Sequence, residues 1–397
     1  MPPICYTVQM EQNTTESMTF TGLNIKEELS KKLEELSITA PSPIQKAVIP
    51  EILQKKNVIF ESETGTGKTF AFLLPLIQAL EEVPSKEDKI IIVAPTYELA
   101  SQIKTNAAKI TGLKTSLFIG GTPLKRQIEA LKDKPQIIIG NPSRILELIH
   151  LKKLKTTNVK AIVLDEADRL ISVEIADETK KLLASIPCDA QFIACSATIN
   201  ENTKKVLGGI FSNPNFVIMP KEDILSKKIT HWAIFAENRD KIAALKSFIL
   251  AENPEKALVF TSRADQVENI ASKLLYKKVD CMALHAKTDK KERKAAIDRF
   301  RNGKCRILVT SDLASRGLDI QGVSHIIQMD LPSNEDFFIH RSGRTARAGL
   351  SGINVVIGDE YEMRKYAALE KKFGLTVYPK VLYKGKVVNP SDIEYQE

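Results

Sequence analysis

The chain has 397 residues, long for one ordinary domain and comfortable for two, and its 43% hydrophobic and 27% charged residues give each half the makings of a core. Lys and Arg outnumber Asp and Glu by 57 to 49, a formal charge of +8 that favours a polyanionic partner such as nucleic acid. No apolar run is long enough to cross a bilayer, the opening MPPICYTVQMEQNTT is not a secretory signal, and five cysteines without a CxxC argue against a disulfide framework or zinc site. The cysteines read as buried, reduced thiols, and the expected compartment is the cytoplasm, or the nucleus of a eukaryote.

Residues 1–18 are polar and weakly patterned, a mobile lead. Asn24 with Glu27 predicts a capped helix start. Strands are predicted at Asn57–Glu61, Ile90–Ala94, Thr115–Ile119, Gln136–Gly140, Ala161–Leu164 and Gln191–Cys195. Most are unbroken Ile/Val/Ala runs, the pattern of parallel strands buried on both faces, and the helical stretches between them imply right-handed crossovers. The pattern pauses over Ser212–Lys228, rich in Pro, Asn and charge. It restarts with strands at Ile229–Phe235, Ala257–Thr261, Asp280–Ala283, Cys305–Val309, His325–Met329 and Ile353–Ile357. Helices are expected at Arg239–Ala251, Asp265–Tyr276, Lys290–Phe300 and Tyr361–Phe373. The fold class is therefore α/β, two tandem domains each built on a mostly parallel sheet flanked by helices. The expected bounds are 19–218 and 229–380, with a linker at 219–228 and a short tail at 381–397.

Ser62-Glu63-Thr64-Gly65-Thr66-Gly67-Lys68-Thr69 follows an apolar strand and opens a helix. Glycines there let backbone N–H groups face phosphate oxygens; Lys68 reaches the β and γ phosphates and the Thr69 hydroxyl ligates Mg²⁺. Ser62 holds the first glycine position of the general pattern. Asp165-Glu166-Ala167-Asp168 follows the strand Ala161–Leu164. A carboxylate at a strand's C-terminal end suits Mg²⁺ held through water, and the adjacent Glu166 suits a general base. Alone, such an acidic run is as well explained as a helix start favoured by the dipole; the loop upstream tips the reading to a metal and base site.

With these motifs in this order, the chain resembles a DEAD-box ATP-dependent RNA helicase of superfamily 2, over roughly Phe20 to Phe373. The resemblance implies two RecA-like domains, ATP and Mg²⁺ as cofactors, and RNA-stimulated ATP hydrolysis coupled to local unwinding of short RNA duplexes. It makes Gln45, in Pro41-Ser-Pro-Ile-Gln45, the adenine-reading amide and Phe20 the aromatic that stacks on the base. Pro95 and Thr96, Gly121 and Arg144 fall in motifs that grip RNA phosphates and sugars, with Tyr97 where arginine is usual and Asn141 where threonine is. Ser196-Ala197-Thr198 resembles the link between hydrolysis and strand separation, its hydroxyls bonding to Asp168.

In the second half, His340-Arg-Ser-Gly-Arg-Thr-Ala-Arg347 resembles the arginine-finger motif. Arg344 and Arg347 would stabilise the γ-phosphate in the transition state, and His340 would touch the water network near Glu166. Thr310-Ser-Asp-Leu-Ala-Ser-Arg-Gly-Leu-Asp319 resembles a further motif: Gly317 and Asp319 meet the nucleotide, while Thr310, Ser311 and Arg316 lie toward RNA. Arg263, Arg293 and the stretch at Ala286 resemble further RNA-contacting positions, with Ala286 where glycine is common. The family mechanism implies RNA read through its backbone with little sequence preference, cooperative with ATP, by a monomer that takes its target from partner proteins. Two other readings share these motifs, an ATP-gated RNA clamp and a superfamily 2 DNA helicase. His231, Trp232 and His325 match no motif and read as core or surface.

Overall fold

The computed structural model describes residues 5–7, 18–62, 65–82, 85, 87–219, 229–285, 288–312, 320, 322–333, 335–346 and 350–393. They form two compact units that divide between residues 220 and 221.

In the first unit the apolar runs become β1 (Cys5–Thr7), β2 (Val58–Glu61), β3 (Lys89–Val93), β4 (Thr115–Phe118), β5 (Ile137–Gly140), β6 (Val159–Asp165), β7 (Gln191–Ser196) and β8 (Asn215–Ile218). Their order is β1-β8-β2-β7-β6-β3-β5-β4, and every neighbouring pair is parallel. Alternate residues serve opposite faces: Val58 and Phe60 join one core with Ile90 and Ile92, whereas Ile59 joins a second with Ile91 and Val93. Both faces are covered by helices, which is why these strands are apolar throughout.

The second unit repeats the plan with β9 (Ile229–Phe235), β10 (Ala257–Thr261), β11 (Met282–Leu284), β12 (Ile307–Ser311), β13 (His325–Gln328), β14 (Gly352–Gly358), β15 (Val377–Tyr383) and β16 (Lys386–Val388). The order is β11-β12-β10-β13-β14-β9-β15-β16, parallel except for the β15–β16 hairpin.

Several expectations shift. Asn24 lies in the left-handed region (φ 63°) and closes a short 3-10 turn, and the helix begins at Glu27 after Lys26. β8 occupies part of the stretch read as a pause: its short Phe-Val-Ile run pairs with β2 despite the Pro, Asn and charge around it. β1 lies in the stretch read as a mobile lead. β15 and β16 follow the last predicted helix in a stretch read as domain end and tail. Cys188 is exposed, unlike buried Cys195, Cys281 and Cys305. Burial pushes the Cys281 thiol up to about 12, which keeps it protonated and unreactive. Of the predicted linker, 220–228 lie outside the described residues. Among the described residues, no helix is long and apolar enough to cross a membrane.

Candidate active site

In the first unit, the candidate side chains gather where parallel strands end. β2 and β7 are neighbours in register, Glu61 opposite Ser196, and β7 pairs with β6 so that Cys195 faces Asp165. This places the phosphate loop, the acidic run and Ser196 along one carboxyl edge, where α/β sheets hold ligands.

The loop leaves β2 through Ser62, whose amide donates to the Ser196 carbonyl (3.0 Å). The Ser62 hydroxyl donates to Thr66 Oγ1 (2.8 Å), so the side chain that replaces glycine ties the loop across itself. Gly65 and Gly67 have φ of 87° and 92°, a region that resists other side chains. A Cβ on Gly67 would also lie 2.5 Å from Gln45 Nε2. Lys68 opens the helix Lys68–Glu82, and its ammonium donates to the Ser62 carbonyl (2.5 Å). Thr69 follows in the first turn, at a helix N-terminus that favours anions. Glu63 and Thr64 lie outside the described residues.

Gln45 sits at the third position of helix Pro43–Leu53 and completes a capping box with Ser42. Its Oε1 accepts from the Ser42 amide (2.9 Å) and its Nε2 donates to the Gly67 carbonyl (3.1 Å). The predicted adenine reader is thus also a tether between its own helix and the phosphate loop. Phe20 is packed into the first unit's core at 1% exposure, beside Leu23 and Ile25. The turn that carries it is pinned by Gln78, which donates to the Asn24 carbonyl (3.0 Å) and accepts from the Lys26 amide (2.9 Å).

Asp165 ends β6, 4% exposed, and its Oδ1 accepts from the Glu166 amide (3.0 Å) and from the Cys195 thiol (3.3 Å). Burial raises its pKa, opposed by Lys68 and those two donors. A buried carboxylate short of compensation at a strand end suits a cation. Among the described residues, no group of three or more His, Cys, Asp or Glu side chains stands ready to hold a metal. Glu166 turns the corner with φ 56° and ψ 54°. Asp168 accepts from the Ser196 hydroxyl (2.6 Å) and the Thr198 hydroxyl (3.4 Å). One strand end therefore touches the loop through its backbone and the acidic motif through its side chains.

The predicted RNA loops lie at the ends of β3, β4 and β5. Thr96 caps helix Tyr97–Ile110 by accepting from the Leu99 amide (3.3 Å), and Tyr97 is 50% exposed. Gly121 has φ 74°. Arg144 donates to the Thr122 carbonyl (3.0 Å) and pairs with Glu147 (2.8 Å), and so braces the glycine turn.

In the second unit, Thr310 and Ser311 end β12, both buried. Arg263 follows β10 and pairs with Asp265 (2.8 Å) at the surface. His340 lies on helix Glu335–Ser342, and Arg344, 6% exposed, follows that helix. Arg316, Gly317, Asp319, Arg347 and Ala286 lie outside the described residues.

Sequence reasoning passed over Arg341, which is 1% exposed and has every N–H occupied. It donates from Nε to Asp312 Oδ1 (2.6 Å) and from Nη2 to Asp312 Oδ2 (2.8 Å), a bidentate pair. Further bonds run from Nη1 to the Asp330 carbonyl (2.7 Å) and Gln328 Oε1 (3.1 Å), and from Nη2 to Ser262 Oγ (2.8 Å). The guanidinium also lies 5.5 Å from the Phe260 ring centroid. Asp330 in turn accepts from Thr261 Oγ1 (2.7 Å) and Ser262 Oγ (2.6 Å). One arginine thus joins the ends of β10, β12 and β13 to the basic motif. Asp312 and Asp330 were the signal that marked it, carboxylates placed just after apolar strands.

Comparison with known proteins follows the same outline. Residues 42–206 match the DEAD/DEAH box helicase family, and residues 240–349 match the helicase conserved C-terminal domain. The chain is 36% identical over 364 residues to the DEAD-box ATP-dependent RNA helicase CshC of Bacillus cereus, across 91% of this chain and 92% of that protein. It is 33% identical over 374 residues to the DEAD-box ATP-dependent RNA helicase RhpA of Helicobacter pylori, across 94% of this chain and 75% of that protein. Among solved structures, S. cerevisiae Dbp5 bound to RNA and ADP BeF3 is similar with a TM-score of 0.82 at 26% identity, covering 91% of this chain and 96% of that one.

Proposed function

The chain belongs to the DEAD-box ATP-dependent RNA helicases, RNA-dependent ATPases with two RecA-like domains, and from that premise we propose how its residues divide the work. Gln45 reads adenine with the second lone pair of Oε1 and the second hydrogen of Nε2, since each group is engaged once within the protein. Lys68 exchanges the Ser62 carbonyl for the β and γ phosphates. Glu166 accepts a proton from the attacking water, held there by its left-handed corner. Magnesium, when bound through Thr69 and Asp165 and partly through water, neutralises charge on the phosphate oxygens. Arg344 and Arg347 supply positive charge to the phosphoryl group as it transfers, with His340 beside the water. Arg316, Gly317 and Asp319 complete the nucleotide and RNA contacts of the second domain.

The observation that carries the coupling is the bonding of Ser196 and Thr198. Ser196 receives the loop amide on its carbonyl and gives its hydroxyl to Asp168, and Thr198 gives its own. A change at the phosphates thus reaches Asp168 through one strand end. RNA is held mainly by its sugar–phosphate backbone, at Pro95, Thr96, Gly121 and Arg144 in one half and Arg263, Thr310 and Ser311 in the other. We further propose action in the cytoplasm by a monomer directed by protein partners. The test is ATP hydrolysis with and without single-stranded RNA, together with strand release from a short duplex. RNA stimulation and release with ATP but not GTP are expected. Stimulation by DNA in preference to RNA would overturn the substrate assignment, and equal use of GTP would remove Gln45 as the base reader.

A further inference from the structure

Three neighbouring strands of the second unit each bury a polar side chain on one face. Gln328 on β13 and Asn354 on β14 are 0% exposed, and His231 on β9 is 2% exposed. Asn354 and His231 are direct cross-strand partners. Buried amides and imidazoles are costly unless each bond is made, so their arrangement carries information.

The bonds run in one line. Arg341 Nη1 donates to Gln328 Oε1 (3.1 Å), Gln328 Nε2 donates to Asn354 Oδ1 (2.9 Å), and Asn354 Nδ2 lies 3.1 Å from His231 Nδ1. Asn354 Nδ2 also donates to Tyr366 Oη (3.3 Å), which lies 3.3 Å from the same imidazole nitrogen. A guanidinium can only donate. That fixes which end of Gln328 faces it, which fixes Asn354, which leaves His231 Nδ1 as an acceptor. The polarity of the line is dictated from the arginine outward. The far end is locked in turn: His231 stacks on Phe338 with ring centroids 6.2 Å apart, and Phe338 belongs to helix Glu335–Ser342, which carries His340 and Arg341. The turn after that helix is built on Arg341, since the Arg344 amide donates to the Arg341 carbonyl (3.1 Å).

We propose that Gln328, Asn354 and His231 are positioning residues for the arginine-bearing turn. They hold Arg341, and with it the His340–Arg344 segment, in the one orientation that a hydrogen-bond line polarised by the guanidinium permits, with His231 Nδ1 unprotonated. The inference rests on the reading that Arg344 serves turnover, but its structural half does not.

Two measurements test it. The first is the ¹⁵N resonance of His231 Nδ1 in the full chain at neutral pH, assigned by comparison with His231→Gln. An unprotonated nitrogen is expected, and a protonated one overturns the proposal. Gln328→Glu keeps an acceptor for Arg341 but forces Asn354 to turn round, so Nδ1 must then gain a proton; an unchanged nitrogen signal in that variant also counts against the line. The second is kinetics. Gln328→Leu should lower kcat for RNA-stimulated ATP hydrolysis about 10-fold or more, the scale of one hydrogen bond to a charged group. KM for ATP should stay within about 2-fold, because the loss falls on transition-state charge. Gln328→Glu should recover most of kcat. A natively folded Gln328→Leu with unchanged kcat overturns the positioning role. Absence of RNA-stimulated hydrolysis in the wild-type chain would instead defeat the activity reading, and the nitrogen signal would still decide the hydrogen-bond line.

Discussion

Replacing Arg341 by alanine should destabilise the second unit far more than a surface arginine would. The guanidinium holds two carboxylates, Asp312 with 13% and Asp330 with 22% of the side chain exposed. Removing one member of a buried ion pair costs about 3–5 kcal/mol, chiefly because the other charge is left without compensation. Here both acids keep some water and Asp330 keeps Thr261 and Ser262, so the lower end, about 3 kcal/mol, applies. The chain has a single tryptophan, Trp232, and it lies on β9. Its fluorescence during urea unfolding therefore reports the second unit alone. With a slope of about 2 kcal/mol per M, the midpoint should fall by about 1.5 M. Arg341→Lys keeps the charge but loses the fork, and should fall between. Burial alone would raise the Asp330 pKa, but Arg341, Ser262 and Thr261 together hold it below the usual carboxylate range. Its contribution is thus complete above the unfolded value of about 3.9 and is lost as pH falls through the lower folded one. That acid-side loss should shrink in Arg341→Ala. A midpoint shift under about 0.5 M, with the acid limb unchanged, would refute the role assigned to this residue.

Three further outcomes follow from the site. Glu166→Gln should keep ATP and RNA binding in equilibrium assays while multiple turnover collapses by about 100-fold or more; unchanged turnover would remove it as the base. Ser196→Ala removes the shorter of the two bonds to Asp168, 2.6 Å against 3.4 Å. Duplex release should then fall several-fold more than RNA-stimulated hydrolysis, and equal losses would argue that the hydroxyl does not couple the two. Tyr97 is exposed at the first turn of its helix, so Tyr97→Arg should tighten RNA binding and steepen its salt dependence by about 0.7 in the log–log slope. A slope unmoved by the change would place the position away from phosphate.

The fold was legible because its strands are apolar throughout. A run such as Ile137-Ile-Ile with both faces buried can be little else, and helices between such runs leave only a parallel sheet. What escaped has weak local signals and strong partners. β8 reads as a pause because Pro, Asn and charged residues surround its short apolar run, and it forms because β2 offers a free edge. β15 and β16 are half exposed, so their pattern has little contrast. Asn24 and Glu27 make a plausible capping pair on paper, yet the chain spends Asn24 on a left-handed turn where its short polar side chain is tolerated. Within the site, position after apolar strands pointed to the loop and the acids, and the family resemblance to the serine–threonine pair. Neither showed that Gln45 and Arg144 already serve as braces for the loops they sit beside.

The basic motif shows why side-chain type alone could not finish the assignment. Arg341 and Arg344 are the same residue in one run, three positions apart, and both are buried. Arg341 is fixed by partners that the sequence scatters: Asp312 lies 29 positions from it, Asp330 lies 11, and Ser262 lies 79. A guanidinium with five donors enters a core only where acceptors converge on all of them, and convergence is a property of the sheet. Once the strand ends are in place, Arg341 has no donor left to offer a phosphate. On the proposed division of roles, it acts through the geometry it imposes on the turn leading to Arg344. The motif therefore contains a frame beside the proposed fingers, and Gln328, Asn354 and His231 continue its hydrogen bonds across the sheet.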